Sequence, residues 1–457
     1  MLDLGTLFKM SPSYTILTGC SNICGFQSCS EKCQKLYKRH TAKECQYIKK
    51  MTDKNPDQWL TVLRVLMIRQ DNAEQFQNFM LLEDHLQDRI DCPIMKNNKT
   101  GVFDVLKRCV PELLEDLNAE DILRICGILD ANSFRIDKNG SRGLFLGKSF
   151  LSMLHNFDKE TLILFAAMSM VNHSCLPNAR VVFDPLGNAN LVAKQDIKKG
   201  ENVTITYCTL LTNTLTRQQK LKKSKFFTCQ CQLCHDPREK GTLMSALICP
   251  KCQGNLLPES FFLQPLEWKC DKCTFTTTDD KVQKLIDAVR NQVNAVCSNS
   301  RMLPTEKVQE LESILKKRSG KVLPPTNQVM LDLKIELANL YDATKDVSHL
   351  QRRIDIIKER LDILEKLEGE DVDSRLKGFL LFRLHNLLVA RIAMLHKNKA
   401  LNDKNIKELG QELSNSLTDA TRILYQDYGC PQQLMDTIAT VSRVNGNAIP
   451  QSKGNHV

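Results

Sequence analysis

The run Cys229-Gln230-Cys231-Gln232-Leu233-Cys234 sets three thiols within six residues, one ligand short of a closed tetrahedral metal site. Cys175 is the nearest clustered cysteine upstream in a polar, turn-like setting, Asn172-His173-Ser174-Cys175-Leu176-Pro177-Asn178. Folded back onto the triplet, Cys175 would complete a four-cysteine zinc site. That site would tie the Asn-His segment to the end of the region and fix Tyr207, on the last strand between them. Further on, Cys249-x2-Cys252 and Cys270-x2-Cys273 stand seventeen residues apart and read as a zinc-ribbon-like site. Four thiolates leave no open position, so this zinc would be structural. Near the start, Cys20, Cys24, Cys29, Cys33, His40 and Cys45 form a third group of zinc-ligand types, the alternative being a redox-silent cysteine cluster.

These groups need a frame. At 457 residues the chain exceeds one ordinary core and predicts two or three domains. Its 42% hydrophobic and 25% charged content is that of a folded soluble protein. The residues before Cys20 read as no signal peptide, and no apolar run reads as membrane-spanning. In a reducing compartment, C-x-x-C pairs read as zinc sites rather than disulfides. The net charge of +10 implies a basic solvated surface and no more.

Apolar residues at helical spacing run from Pro56 to Ile90 (Trp59, Val62, Leu63, Leu66, Phe76, Phe79) and from Pro111 to Leu129 (Leu113, Leu117, Ile122, Ile125). They predict a helical insert in which Cys109 and Cys126 pack in the core. Ala179–Asp184 and Ala189–Gln195 read as strands around the turn Asp184-Pro185-Leu186-Gly187-Asn188. Lys199-Gly200 turns into a strand over Val203–Tyr207, and Arg217–Lys225 reads as a basic helix with a solvated face. From Lys281 onward the chain reads as helices, with the apolar residues of Val329–Leu340 in partial alternation.

In order, N-H-S-C-x-P-N, G-E-x-x-x-I-x-Y (Gly200 to Tyr207) and F-x-C-x-C-x-x-C (Phe227 to Cys234) resemble the catalytic core and post-SET zinc site of SET-domain lysine methyltransferases. The Cys20–Cys45 group resembles part of a MYND zinc finger, which narrows the resemblance to the SET-and-MYND family. The extra C-x-x-C knuckles are most like its arthropod branch. By that family's ligand pairing, Cys20, Cys24, His40 and Cys45 complete one zinc site. Cys29 and Cys33 would share the second with an earlier cysteine pair that the sequence does not supply, and the G-x-G turn expected ahead of the finger is likewise not found.

The resemblance implies an α+β multidomain fold: an N-terminal remnant (1–18), a partial MYND finger (19–46), a helical SET insert (47–131), a SET core (132–228), a post-SET site (229–236), zinc-ribbon-like knuckles (245–276) and a tetratricopeptide-like helical domain (277–457). Residues 147–165 form an extra segment before Asn172. It implies S-adenosylmethionine and zinc as cofactors, with Asn132, Asn172, His173 and Phe227 binding the former. Tyr207 is the implied catalytic residue, orienting the lysine amine rather than taking its proton. The substrate would be a histone or other protein lysine, and the setting cytoplasmic or nuclear. A different reading is a catalytically weak, zinc-scaffolded adaptor that binds peptide partners through the finger and the helices. Neither a membrane nor nucleic acid is an expected partner; no C-x2–4-C-x12-H-x3–5-H finger is present.

Overall fold

The computed structural model describes residues 18–19, 27–28, 41–51, 56–137, 160–183, 189–263, 265–344, 347–400, 402–425 and 432–444. Cys20, Cys24, Cys29, Cys33, His40, the Gly140–Phe145 turn and strand, residues 147–159 of the extra segment and the Asp184–Asn188 turn lie outside them. The chain divides into two compact units: Met1–Lys138 with Phe157–Val171 and Lys223–Phe226, and Asn139–Asn156 with Asn172–Lys222 and Phe227–Val457.

The first unit is built on helices. Helix α1 (Ala42–Lys50) starts at Thr41, whose Oγ1 accepts the Glu44 N–H, and it buries Cys45. Helices α2 (Pro56–Asp71), α3 (Ala73–Met80) and α4 (Ala119–Asn132) then close a core of Trp59, Leu63, Leu66, Phe79, Ile122 and Ile125. Each fully buried large side chain there stabilises by about 1.5–3 kcal/mol. The expected helix over Pro111–Leu129 is interrupted. Pro111–Leu113 forms one short turn, and α4 begins only after Asn118. Asn118 explains the break: its Oδ1 accepts the N–H groups of Glu120 and Asp121, while Asp121 Oδ2 accepts the Asn118 N–H. Cys126 is buried in this core as expected, and Cys109 packs against it. Strand β1 (Ser133–Asp137) continues from α4 and pairs antiparallel with β2 (Glu160–Leu164).

The second unit opens with β3 (Asn172–His173), β4 (Ala179–Phe183), β5 (Ala189–Ala193) and β6 (Thr204–Ile205). β4 and β5 form the expected antiparallel pair, and β3 lies parallel to β6. The last strand is shorter than its sequence suggested, so Tyr207 sits two residues beyond it. Helix α5 (Thr214–Lys225) corrects another expectation: Arg217 and Leu221 have no exposed surface, so this basic helix is anchored on one side. After the short helix α6 (Gln232–His235), a four-stranded sheet follows: β7 (Leu247–Ile248), β8 (Asn255–Pro258), β9 (Glu267–Cys270) and β10 (Thr276–Thr278), in the order 10-9-8-7. It closes over the fully buried Trp268, whose indole N–H reaches Asp279 Oδ1 at 3.0 Å.

Helices α7 (Asp279–Ser298), α8 (Pro304–Arg318), α9 (Gln328–Thr344), α10 (Leu350–Glu368), α11 (Arg375–Lys397), α12 (Asp403–Leu424) and α13 (Gln432–Val444) complete the unit. From α7 to α12 each packs on its chain neighbour. α9 is helical throughout; its alternation arises because it buries residues on more than one side, Val329, Met330, Leu331, Leu333, Leu337 and Tyr341. α11 is long and apolar enough to cross a membrane by length and composition, contrary to the sequence expectation. Here it packs between α10 and α12 and buries Phe379, Leu380, Leu384 and Leu388. Gly378 is the contact point: a Cβ there would come within 2.7 Å of Leu424 Cγ.

One buried ion pair joins the strand region to these helices. Lys194 Nζ lies 2.6 Å from Glu368 Oε1, each side chain only 5% exposed. Truncating one partner leaves a buried charge uncompensated. Lys194→Ala should therefore lower unfolding stability by about 3 kcal/mol, and Lys194→Met with Glu368→Leu should regain most of it, as read by denaturant midpoint.

Candidate active site and metal centre

The second unit gathers the second-unit site residues named from sequence. His173 ends β3, with Ser174 N–H donating to Ile205 O at 3.0 Å. The Tyr207 N–H donates to His173 Nδ1 at 3.0 Å. A backbone N–H can only donate, so Nδ1 carries a lone pair and the ring proton sits on Nε2. Nε2 faces Cys175 Sγ at 3.4 Å and gives it that proton as a hydrogen bond. The rings of His173, Tyr207 and Phe227 close a triangle. Their centroids are 5.1 Å (His173–Tyr207), 5.8 Å (His173–Phe227) and 6.5 Å (Tyr207–Phe227) apart, the last pair nearly perpendicular. Burial pushes the Tyr207 phenol above its ordinary pKa, so it is neutral at physiological pH.

Cys175, Cys229, Cys231 and Cys234 bring their sulfurs within 4.8 Å of one another. Cys175 and Cys234 are 3.6 Å apart, close to the edge of about 3.8 Å that a ZnS4 tetrahedron with bonds of about 2.3 Å would have. Without a cation the sulfurs compete for protons. Hydrogen bonding with Cys208, helped by Cys231 and burial and opposed by Cys229 and Cys234, pushes Cys175 up to about 12, whereas contacts with Cys175, Cys229 and Cys234 hold Cys231 well down. A divalent ion would replace those protons.

Helix α5 braces the site. Gln218 accepts the Cys229 N–H through Oε1 at 3.0 Å and donates to Cys229 O through Nε2 at 2.7 Å. Arg217 donates to Thr212 O and to Thr214 Oγ1, and Thr214 donates to Glu239 Oε1 through both its N–H and its hydroxyl. Burial alone lowers the pKa of Arg217. The negative charge of Cys175, Glu239, Cys234 and Cys208 outweighs it and holds the guanidinium charged. Four thiolates around Zn2+ would leave a net charge of −2, for which Arg217 would be a buried counter-cation. The donor set therefore fits zinc.

His173, Cys175 and Cys208 also crowd within 4.8 Å. A metal there would need the Nε2 lone pair, and that position holds the proton.

The knuckle group fits zinc equally. Cys249 and Cys273 sulfurs are 3.7 Å apart, and those of Cys252 and Cys270 are 3.4 Å apart. The N–H groups of Gly254 and Lys272 point at the sulfurs of Cys252 and Cys270, at 3.4 Å each, which favours thiolate. Of the finger group, Cys45 alone is described, buried in α1. Asn172 is exposed at the start of β3. Asn132 belongs to the first unit, where its Nδ2 donates to the carbonyls of Glu83 and Ile128 at 2.8 Å each.

Sequence reasoning passed over Asn178, the last residue of the Asn-His motif. Only 5% exposed, it accepts the Thr204 N–H through Oδ1 at 2.8 Å. Its Nδ2 donates to Glu201 Oε1 at 3.0 Å and to Asn202 O at 2.9 Å. It thus staples the first motif to the Gly-Glu motif and sets the register that brings Tyr207 to His173. Asn178→Ala strips these bonds and should cost about 2–4 kcal/mol, read by denaturant unfolding.

Residues 46–208 match the family described as SET domain. The chain is 30% identical over 224 residues to the Drosophila melanogaster SET domain-containing protein SmydA-8, isoform A, covering 48% of this chain and 43% of that protein. It is 35% identical over 130 residues to the Arabidopsis thaliana histone-lysine N-methyltransferase ASHR1 (27% of this chain, 26% of that protein). To the human histone-lysine N-methyltransferase SMYD3 it is 26% identical over 241 residues (50% and 51%). The chain spans about half or less of the length of each of these relatives. Fold and site define a SET-domain protein. Its relatives are SET-and-MYND proteins, which the chain resembles over about half of their length or less, and the match to the Drosophila protein agrees with the arthropod branch.

Proposed function

We propose that this chain is an S-adenosylmethionine-dependent protein-lysine N-methyltransferase acting on histone or other protein lysines, in the cytoplasm or nucleus. The observation that carries this reading is the joined unit of Tyr207, His173 and Cys175: one imidazole takes the Tyr207 N–H on one side and donates to a metal-site sulfur on the other. The tyrosine is thereby tied to the post-SET zinc.

S-adenosylmethionine would supply an electrophilic methyl group for in-line displacement. Asn172 and His173 would bind its adenosine part, and Phe227 would cover the adenine. Tyr207, neutral and half-buried, would hold the lysine amine in line, where alignment within near-attack distance contributes several kcal/mol. The aromatic triangle would exclude water and favour the positive charge developing on nitrogen. Zinc at Cys175, Cys229, Cys231 and Cys234, at the knuckles, and at the partial MYND finger would be structural. The helices after 277 would form the tetratricopeptide-like domain beside the substrate.

The test is transfer of labelled methyl from S-adenosylmethionine to lysine in a panel of histones and cellular proteins. Labelled lysine supports the reading. Cofactor and peptide binding without any transfer would support the adaptor instead.

A further inference from the structure

Of the crowded ligand atoms around Cys175, five have work in the account above: four sulfurs for zinc and the His173 Nε2–H as a donor to Cys175. Cys208 is left over. It is only 7% exposed, directly follows Tyr207, and its sulfur lies within 4.8 Å of both Cys175 Sγ and the His173 ring. Thr206 fixes its backbone, accepting the Cys208 N–H at 3.3 Å and donating to Cys208 O at 2.8 Å. In the zinc reading, a thiol outside the ligand set therefore stands beside a thiolate that would hold the metal.

We propose that Cys208 is a peroxide-oxidisable site whose partner is Cys175, and that their disulfide releases the post-SET zinc. The proposal rests on the zinc reading of the four-cysteine group. Hydrogen peroxide first oxidises Cys208–SH to the sulfenic acid, breaking the O–O bond and releasing one water. The Cys175 thiolate then attacks the Cys208 sulfur. The S–S bond forms, and hydroxide leaves and takes a proton as the second water. Each sulfur has given one electron and peroxide has taken two. Zinc is left with Cys229, Cys231 and Cys234, one ligand short of a closed site.

The consequence reaches the neighbouring residues directly. A disulfide sulfur is a poorer acceptor than a thiolate, so His173 Nε2–H loses its partner. Cys208 must also move toward Cys175, because the bond is about 2.05 Å long, and Tyr207 is the residue joined to it. Oxidation would thus disturb the proposed methyl-transfer site through both of its anchors. Pairs within the ligand set, such as Cys175 and Cys234 at 3.6 Å, are also close. Their lone pairs would be held by the metal, whereas the thiol of Cys208 would not.

The experiment treats the zinc-loaded full chain with one to five equivalents of hydrogen peroxide. Zinc release is followed with a chromogenic chelator, and disulfides are mapped by mass spectrometry of non-reduced peptides. The expected result is a Cys175–Cys208 disulfide formed in step with release of one zinc, reversed by thiol reductant and zinc. Cys208→Ser and Cys208→Ala should bind as much zinc as the wild type beforehand and release it at least tenfold more slowly. Equal release rates in either variant, or disulfides that join only the four ligand cysteines, would overturn the proposal. The zinc reading is scored separately: Cys234→Ser that loses no zinc contradicts that reading, whereas the mapped disulfide bears on Cys208 alone.

Discussion

Cys234→Ser should bind one zinc fewer per chain and unfold at a markedly lower temperature. Cys234 is fully buried, and its sulfur is 3.6 Å from that of Cys175. Serine is a poor zinc ligand at neutral pH, and three remaining thiolates would hold the ion weakly. Structural zinc contributes on the order of 10 kcal/mol in isolated zinc-finger peptides. A loss of even about 5 kcal/mol should lower the midpoint by about 10–20 °C. The damage should spread, because Cys175 then no longer fixes His173, and His173 no longer receives Tyr207 in place. Elemental analysis and a melting curve read the two effects. An unchanged zinc count would remove the metal from this account. Cys249→Ser should cost a different zinc, at the knuckles, and leave the His173–Tyr207 contact intact.

Tyr207→Phe should lower methyl transfer by at least about 100-fold while leaving zinc content and cofactor affinity near wild type. The substitution keeps the ring, and with it the packing on His173 and Phe227, together with the backbone N–H that His173 accepts. It removes the hydroxyl alone. A group that only positions the amine is expected to contribute about 3 kcal/mol to the barrier, which corresponds to this factor. Burial holds the phenol above its ordinary pKa. The rate should therefore climb with pH as the substrate lysine loses its proton, with no fall from tyrosinate formation up to pH 9. Single-turnover assays across pH check both statements. A descending limb below pH 9 that vanishes in Tyr207→Phe would assign the proton to Tyr207 instead.

The site was legible where ligand chemistry fixes spacing. Two thiols separated by two residues predict a metal knuckle by themselves, and Cys249, Cys252, Cys270 and Cys273 meet as that rule requires. Cys175 could be paired with the triplet because a tetrahedral site needs a fourth donor. What stayed hidden depends on side chains reaching across the chain to backbone. Asn178 looks like a turn residue, and its partners at Glu201, Asn202 and Thr204 carry no local signal. Arg217 stands in the run Arg217-Gln218-Gln219-Lys220, which reads as a solvated face. Only its position beside Glu239 and the sulfurs of Cys175, Cys208 and Cys234 explains why it is buried and charged. The break before α4 had a signal that periodicity masked: Asn118 followed three residues later by Asp121. The alternation in α9 misled because burial on more than one side blurs a helical stripe.

The most direct measurement is calorimetric titration of S-adenosylmethionine into the purified, zinc-loaded chain and into Asn172→Ala and His173→Ala. The wild type should bind with micromolar affinity, both variants at least tenfold more weakly, and binding should be lost when zinc is stripped by a chelator. A wild-type chain that holds its zinc and takes up no S-adenosylmethionine would contradict the methyltransferase reading.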